Sequence, residues 1–384
     1  MVSLVVYYEG SDSVKDWVIG LLGITPTFKK MPSRNDSQDY ADLPAHISDI
    51  LYLDKPDLIF SMIHDRHEKP LLSIEFASCT PQYQHALQRF SRMLASVTTG
   101  CPSILIMPSK KTSNDGSSTY TRSNAVEYGA VRLMDIYRTP AFVIDWPETD
   151  GFLDNEDRTE YPLLNSPQIQ KIKELFEACV TSRNDVDYSA SLSQQKIVKE
   201  LTDQNRTHAY KKGVPSISNP SGGEGASAVR LELRNTADLI DSIKNLSRHH
   251  KALCINTPEF ILNRDESLVF FPSRITAHAG DPYVGMISYY DIAFTRYGKS
   301  TRERHYNLVA YAEGVSISEV TEKMNQFHDQ KCPFSSQEVV RKNSKQYSYH
   351  LKYGCKETKV KPIRIYAELA DIIVFQDGVL FNAG

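Results

Sequence analysis

The chain is poor in the features that mark most specialised protein classes. Its longest apolar runs, such as Ile372-Ile373-Val374-Phe375, are strand-sized and fall far short of the ~20 residues that cross a bilayer as a helix. No membrane span is expected. Six cysteines in 384 residues stand far apart with no C-x-x-C pair, which argues against a disulfide framework and a structural zinc knuckle. Reduced, mostly buried thiols are the expectation. There is no G-x-x-x-x-G-K-[ST] and no G-x-G-x-x-G, so P-loop and dinucleotide binding lack support. Neither G-x-S-x-G nor H-E-x-x-H occurs, which removes the commonest serine-hydrolase and zinc-protease readings. No repeat of 20 to 50 residues is present. Met1 to Tyr8 is apolar but has no basic leader and is interrupted by Glu9. It reads as a strand, not a signal peptide, and a cytoplasmic location follows as an expectation.

What is present is ordinary globular usage, 41% hydrophobic and 24% charged, in a chain long enough for two domains. The net charge of -3 conceals a split, since residues 1–190 carry -8 and residues 191–384 carry +5. Such a split is compatible with an acidic, metal-using part and a basic part that grips a polyanion.

Strand-like and helix-like patterns alternate over the first 150 residues, which predicts an α/β core. Val2 to Tyr8 reads as a strand, and Ser11-Asp12-Ser13 opens a helix that Gly23 ends. Leu43 to Leu53 is helical or mixed. Asp57–Met62 and Pro70–Ala77 read as an antiparallel pair, with the charged stretch His64 to Lys69 as an exposed six-residue tip. Tyr83, Ala86, Leu87, Phe90, Leu94 and Val97 form the stripe of one helix face between Pro81 and Gly100. Strands follow at Cys101–Met107 and Pro140–Asp145, then a helix at 166–182. From 184 to 228 Ser, Gln, Asn, Lys and Gly rise, so this stretch reads as a flexible linker or DNA-contacting arm. The expected organisation is therefore an α/β domain at 1–183, a linker at 184–228 and a mixed α/β domain at 229–384. In the last, helices are expected at Thr236–Lys251 and Ser316–Phe327, with a strand pair within Val360–Phe381. Gly280 to Gly285, with Asp291 and Arg296, reads as a tight turn or a recognition surface.

Two acids stand out. Asp57 follows Pro56 at the start of one hairpin strand, and Glu75 lies near the end of the next. Alternation puts Ser73, Glu75 and Ala77 on one face and Leu72, Ile74 and Phe76 on the other. A carboxylate on a largely internal strand needs a partner or a cation, because desolvating a charge without replacement costs several kcal/mol. Paired carboxylates completed by water suit Mg2+. The competing account is structural, with Asp57 as a turn acid and Glu75 bridged to Arg89 or Arg92 without metal.

Pro56-Asp57, then Ser73-Ile74-Glu75-Phe76-Ala77, then the helix from Pro81 to Thr98 and the strand from Pro102, resemble the PD-(D/E)xK nucleases, in particular restriction endonucleases. The resemblance covers roughly residues 40 to 110. It implies a mixed sheet flanked by helices, Mg2+ held by Asp57 and Glu75, and hydrolysis of phosphodiester bonds in double-stranded DNA. A type II restriction enzyme acting as a homodimer would match two-fold symmetric sites. One departure is plain: Ala77 stands where the family has Lys. Some members relocate that Lys or replace it with a polar residue, and the following helix offers Gln88 to orient water and Arg89 to hold the scissile phosphate. His85 is a weaker proton carrier. Lys211 and Lys212, and Arg302 with Arg304, are basic clusters suited to DNA phosphates, as is Arg341-Lys342 with Lys345 near Tyr347, Tyr349 and Tyr353. The alternative is a non-catalytic nucleic-acid-binding or regulatory protein on a degenerate nuclease-like core.

Overall fold

A computed structural model describes residues 3–32, 43–77, 89–112, 119–146, 161–183, 185–211, 229–248, 250, 262–272, 287, 290–296, 299–312, 347–348, 369–376 and 378–381. The chain divides into two compact units, Met1–Met31 with Pro44–Pro215, and Pro32–Leu43 with Ser216–Gly384.

The first unit is built on strands β1 (Ser3–Tyr8), β2 (Thr27–Lys30), β3 (Leu58–His64), β4 (His67–Phe76), β5 (Ser103–Met107) and β8 (Ala141–Asp145). They form one mixed sheet in the order β2-β1-β3-β4-β5-β8. β1, β3 and β4 run as an antiparallel meander, whereas β5 and β8 lie parallel to β4. A short antiparallel pair, β6 (Lys110–Thr112) and β7 (Thr119–Thr121), stands apart. The helices are α1 (Ser13–Leu22), α2 (Ala45–Leu53), α3 (Phe90–Thr98), α4 (Ala125–Tyr137), α5 (Pro167–Ser182), α6 (Tyr188–Gln194) and α7 (Lys196–Tyr210). Gly23 ends α1 as expected: at φ 69 it is left-handed, and its N–H bonds the Ile19 carbonyl.

The alternation read from β4 has a physical counterpart. Leu72 and Ile74 join Phe60, Ile104, Ile106, Phe142 and Ile144 in one buried cluster with Trp17 of α1 and Ile172, Leu175 and Phe176 of α5. Phe76 packs on that cluster, edge-on to Trp17 with ring centroids 5.0 Å apart. The opposite face carries Ser73, whose hydroxyl donates to Ser96 Oγ of α3 at 2.7 Å and lies in hydrogen-bonding distance of Ser103 Oγ of β5 at 3.0 Å. Three small hydroxyl residues at one level let α3 approach the sheet closely while every buried donor finds an acceptor. Removing a ring such as fully buried Phe60 would cost about 3–5 kcal/mol.

Two expectations need correction. The charged tip is not six residues long: β3 runs to His64, β4 starts at His67, and His64 pairs with His67. Only Asp65 (φ 49) and Arg66 (φ 68) turn, and two left-handed residues are what a two-residue hairpin with native twist requires. The linker from 184 is likewise too broad. Residues 188–210 are helical, and Leu192, Ile197, Val198 and Leu201 lie in the first unit's core. Their spacing makes a narrow apolar stripe that a Ser, Gln and Lys-rich composition conceals. Asp187 caps α6, accepting from the Ala190 N–H at 3.0 Å. Asn205 of α7 accepts the Val143 N–H at 2.8 Å.

In the second unit β9 (Val229–Asn235), β10 (Glu266–Pro272), β13 (Asn307–Ala312), β14 (Tyr347–Ser348), β15 (Ile372–Phe375) and β16 (Val379–Phe381) make a second mixed sheet, ordered β14-β16-β15-β13-β10-β9. The small pair β11 (Thr295–Arg296) and β12 (Lys299–Ser300) is separate. α8 (Thr236–Lys244) is shorter than the expected helix to Lys251. Its start is fixed by Asn235, whose side chain accepts from the Ala237 and Asp238 N–H groups. Leu239 and Ile243 of α8 pack on Val269, Val309, Ile372 and Val374. The expected helix at 316–327, the Gly280 to Gly285 turn and the cluster from Arg341 to Lys345 lie outside the described residues.

Candidate active site

The chain between α2 and β3, Asp54-Lys55-Pro56-Asp57, places three charged side chains within four residues. Asp54 ends α2 and is buried; its Oδ1 accepts the Lys55 N–H at 2.9 Å, and its Oδ2 accepts from the Ser91 hydroxyl of α3. Lys55 is also buried, and its Nζ reaches Glu9 Oε1 at 2.9 Å. The Glu9 N–H bonds the Asp57 carbonyl at 2.8 Å, which ties the end of β1 to the start of β3. Asp57 Oδ2 then accepts the Phe76 N–H at 2.7 Å. The aspartate therefore rests on the backbone beside Glu75, as adjacency of β3 and β4 demands.

Glu75 is 3% exposed. Arg89, just before α3, donates to its Oε1 at 2.5 Å, and Arg92, one turn later, bonds the same oxygen. Arg92 Nε also lies 3.9 Å from Asp54 Oδ2. Residues three apart on a helix share a side, so α3 presents both guanidiniums to one carboxylate. Burial pushes the Glu75 carboxyl up to about 8, with Arg92 and Arg89 pulling it down and Asp57 and Asp54 adding to the rise. For Arg92, burial works to lower the pKa, but the carboxylates of Glu75, Asp54, Asp57 and Glu9 outweigh it and carry it upward. The cluster is incompletely satisfied: among the described residues, Glu75 Oε2, Arg89 Nε and Arg92 Nε are buried without hydrogen-bond partners.

The structure thus brings Asp57, Glu75 and Arg89 together, and adds Arg92 in the bridging role of the structural account. Ala77 is buried, and its N–H bonds the Ile106 carbonyl. Gln88, His85 and Lys212 lie outside the described residues. Lys211 is exposed and closes the end of α7, so it belongs to a helix and not to a linker. Arg302 is exposed, whereas Arg304 donates to Asp371 Oδ1 at 2.7 Å inside its own unit. Asp54, Lys55 and Ser91 were not singled out by the sequence, although Asp54-Lys55 directly precedes the Pro56-Asp57 signal.

Could these residues hold the metal that the resemblance implies? Among the described residues no group of three or more His, Cys, Asp or Glu side chains is placed to take an ion. Mg2+ does not require that many, because it is commonly held by one or two carboxylates plus substrate phosphates and water. Asp57 acts electrostatically on the Glu75 carboxyl, and Glu75 Oε2 has no hydrogen-bond partner among the described residues; two such carboxylates are the donor set such an ion uses. The residues fit on that ground.

A second buried charged cluster, which sequence reasoning missed, lies at the ends of β5 and β8. Arg122 donates to Glu127 Oε1 at 2.6 and 2.8 Å, to Asp145 Oδ1 at 2.7 Å and to the Met107 carbonyl at 2.8 Å. It forms the floor of a cleft of about 260 Å³ lined also by Ser109, Lys110, Thr121, His208 and Lys211.

The chain matches no protein-family model, and comparison with curated proteins and with solved structures returns no match. No helix among the described residues is long and apolar enough to cross a membrane.

Proposed function

We propose that the chain is a Mg2+-dependent endonuclease that hydrolyses phosphodiester bonds in double-stranded DNA, of the site-specific type II restriction class, with the Asp57/Glu75 corner as its active site. The observation that carries this reading is the meeting of Asp57 with the backbone at Phe76, next to a buried glutamate with one empty oxygen, under a helix that delivers Arg89. An antiparallel meander followed by a helix and a parallel strand is the arrangement that the restriction-endonuclease-like reading expects.

Asp57 and Glu75 would hold Mg2+, which supplies polarisation of the phosphodiester and a more acidic attacking water. The chain's own residues do the remaining work. The Phe76 N–H fixes the Asp57 carboxylate, so that it meets the substrate in one orientation. Arg92, anchored between Glu75 and Asp54, positions Glu75. Arg89, whose side chain is 25% exposed, is the cation able to leave Glu75 and grip the scissile phosphate in two contacts. A guanidinium is never a base, so the attacking water loses its proton to solvent or to the phosphate. Water oxygen bonds to phosphorus as the bond to the 3′-oxygen breaks, and the released 3′-oxygen takes a proton from solvent. A two-fold protein would cut both strands of a symmetric site.

Incubating the purified protein with mixed-sequence plasmid, with and without Mg2+, tests the reading. Discrete bands from wild type and none from Asp57→Ala support it; cutting by Asp57→Ala equal to wild type defeats it. A second reading is favoured by the double arginine clamp on Glu75 together with Ala77. In it Glu75 is a structural counterion, and the protein binds nucleic acid without cleaving it. Salt-sensitive DNA binding with no cleavage in Mg2+ or Mn2+ would select that alternative.

A further inference from the structure

We propose that the cleft at the carboxyl ends of β5 and β8 binds a DNA-backbone phosphodiester a few nucleotides from the scissile one, gripped by Lys110 and Lys211. The inference rests on the nuclease reading for the identity of the polyanion, but its residues are independent of the Asp57/Glu75 corner.

The floor of the cleft is preorganised, and its one cation is fully engaged by two carboxylates. Arg122 is buried, and its guanidinium is divided between Glu127, Asp145 and a carbonyl. Floor charge is therefore one positive against two negative. The rim is the opposite: Lys110 and Lys211 are exposed, and among the described residues neither has an ion-pair partner. Two ammonium groups in one concavity, neither with an ion-pair partner among the described residues, make a local cationic spot that general solvation does not require. His208 and Thr121 add hydrogen-bonding groups at the same rim.

Size and position narrow the ligand. A cleft of about 260 Å³ is below the roughly 300–1,000 Å³ of sites that enclose a small organic molecule. It suits a phosphodiester with adjoining sugar atoms, while the bases stay outside. β4, β5 and β8 are consecutive parallel neighbours, and Glu75 stands level with Leu105 and Val143, so Asp145 lies two strand spacings, roughly 10 Å, across the sheet from Glu75 and two residues further along it. Phe142 and Ile144 point to the core shared with α5, which puts Asp145 on the same sheet face as Glu75. A duplex rises about 3.4 Å per nucleotide along its axis, so that span is within a few nucleotides of the scissile phosphate.

The test uses the full chain and a labelled 20-base-pair duplex, with Ca2+ in place of Mg2+, titrated over a range of NaCl. Lys110→Ala/Lys211→Ala should weaken binding and reduce the slope of log affinity against log salt by about 1, since one neutralised phosphate contributes about 0.9. Lys196→Ala/Lys199→Ala, on the exposed start of α7, is the control and should leave the slope unchanged. Thermal melting checks that both variants fold. A double variant with the wild-type slope overturns the proposal, as does a wild type that binds no duplex. Plasmid cleavage separates the two claims: binding with the expected slope change but no cutting sustains this site and sinks the nuclease reading. Cutting that is indifferent to Lys110 and Lys211, with an unchanged slope, does the reverse.

Discussion

Both units bury a polar cluster beside a sheet, and the two are built to opposite specifications. In the second unit Asn307 Nδ2 donates to Thr236 Oγ1, Ser267 Oγ and the Arg264 carbonyl, while its Oδ1 accepts the Arg264 N–H. The group is neutral, and donors match acceptors. In the first unit Glu75 crowds two guanidiniums onto one oxygen and leaves the other empty. A satisfied neutral network specifies packing, whereas an under-satisfied charged one stores interaction energy that an incoming ligand can collect. The difference separates a cluster that serves the fold from one that has binding capacity left over.

The comparison can be broken most decisively at Asp57. Asp57→Ala should reduce Mg2+-dependent plasmid cleavage to background while the melting temperature falls by only a few degrees, because the loss to folding is one acceptor worth about 1 kcal/mol. Arg92→Met comes next in size for stability. It leaves Glu75 and Asp54 without a cation they share, at a cost of about 3–5 kcal/mol; denaturant unfolding measures it, and combining it with Glu75→Leu should recover part of the loss. Asn307→Leu should cost about 2–3 kcal/mol in the second unit without changing cleavage chemistry. If it abolished cutting while the protein remained folded, the division between the two clusters would be wrong.

A further expectation concerns pH. With the folded-state carboxyl of Glu75 held near 8 against an ordinary 4.5, the folded protein binds this proton more tightly than the unfolded one. Its contribution to stability is fully present below about 4.5 and is lost as pH rises through 8. Glu75→Gln should flatten that part of the stability profile, seen by unfolding at several pH values. Mg2+ competes with the same proton, so metal affinity measured by calorimetry should rise over this window in wild type.

How far was this legible beforehand? Asp57, Glu75 and Arg89 could be found because strand alternation and the Pro-Asp junction are local signals. That Arg92 bridges Glu75 and Asp54, and that Ser91 binds Asp54, depends on how α3 lies over the sheet, which no local pattern encodes. The Arg122 cluster joins residues 122, 127 and 145 from three elements, with charged types that read as surface when taken singly. α6 and α7 were hidden for another reason: a stripe of few apolar residues was diluted in a polar composition, and packing on a sheet completed what propensity alone would leave marginal.

Asn205 carries a consequence for assembly. By taking the outward N–H of Val143 it seals the β8 margin of the first sheet, where a foreign strand would otherwise add. The opposite margin, β2, is four residues long and carries Lys29 and Lys30, a short cationic border that repels its own copy. Both margins of the first sheet are therefore poor sites for strand addition, and association between copies through them is disfavoured.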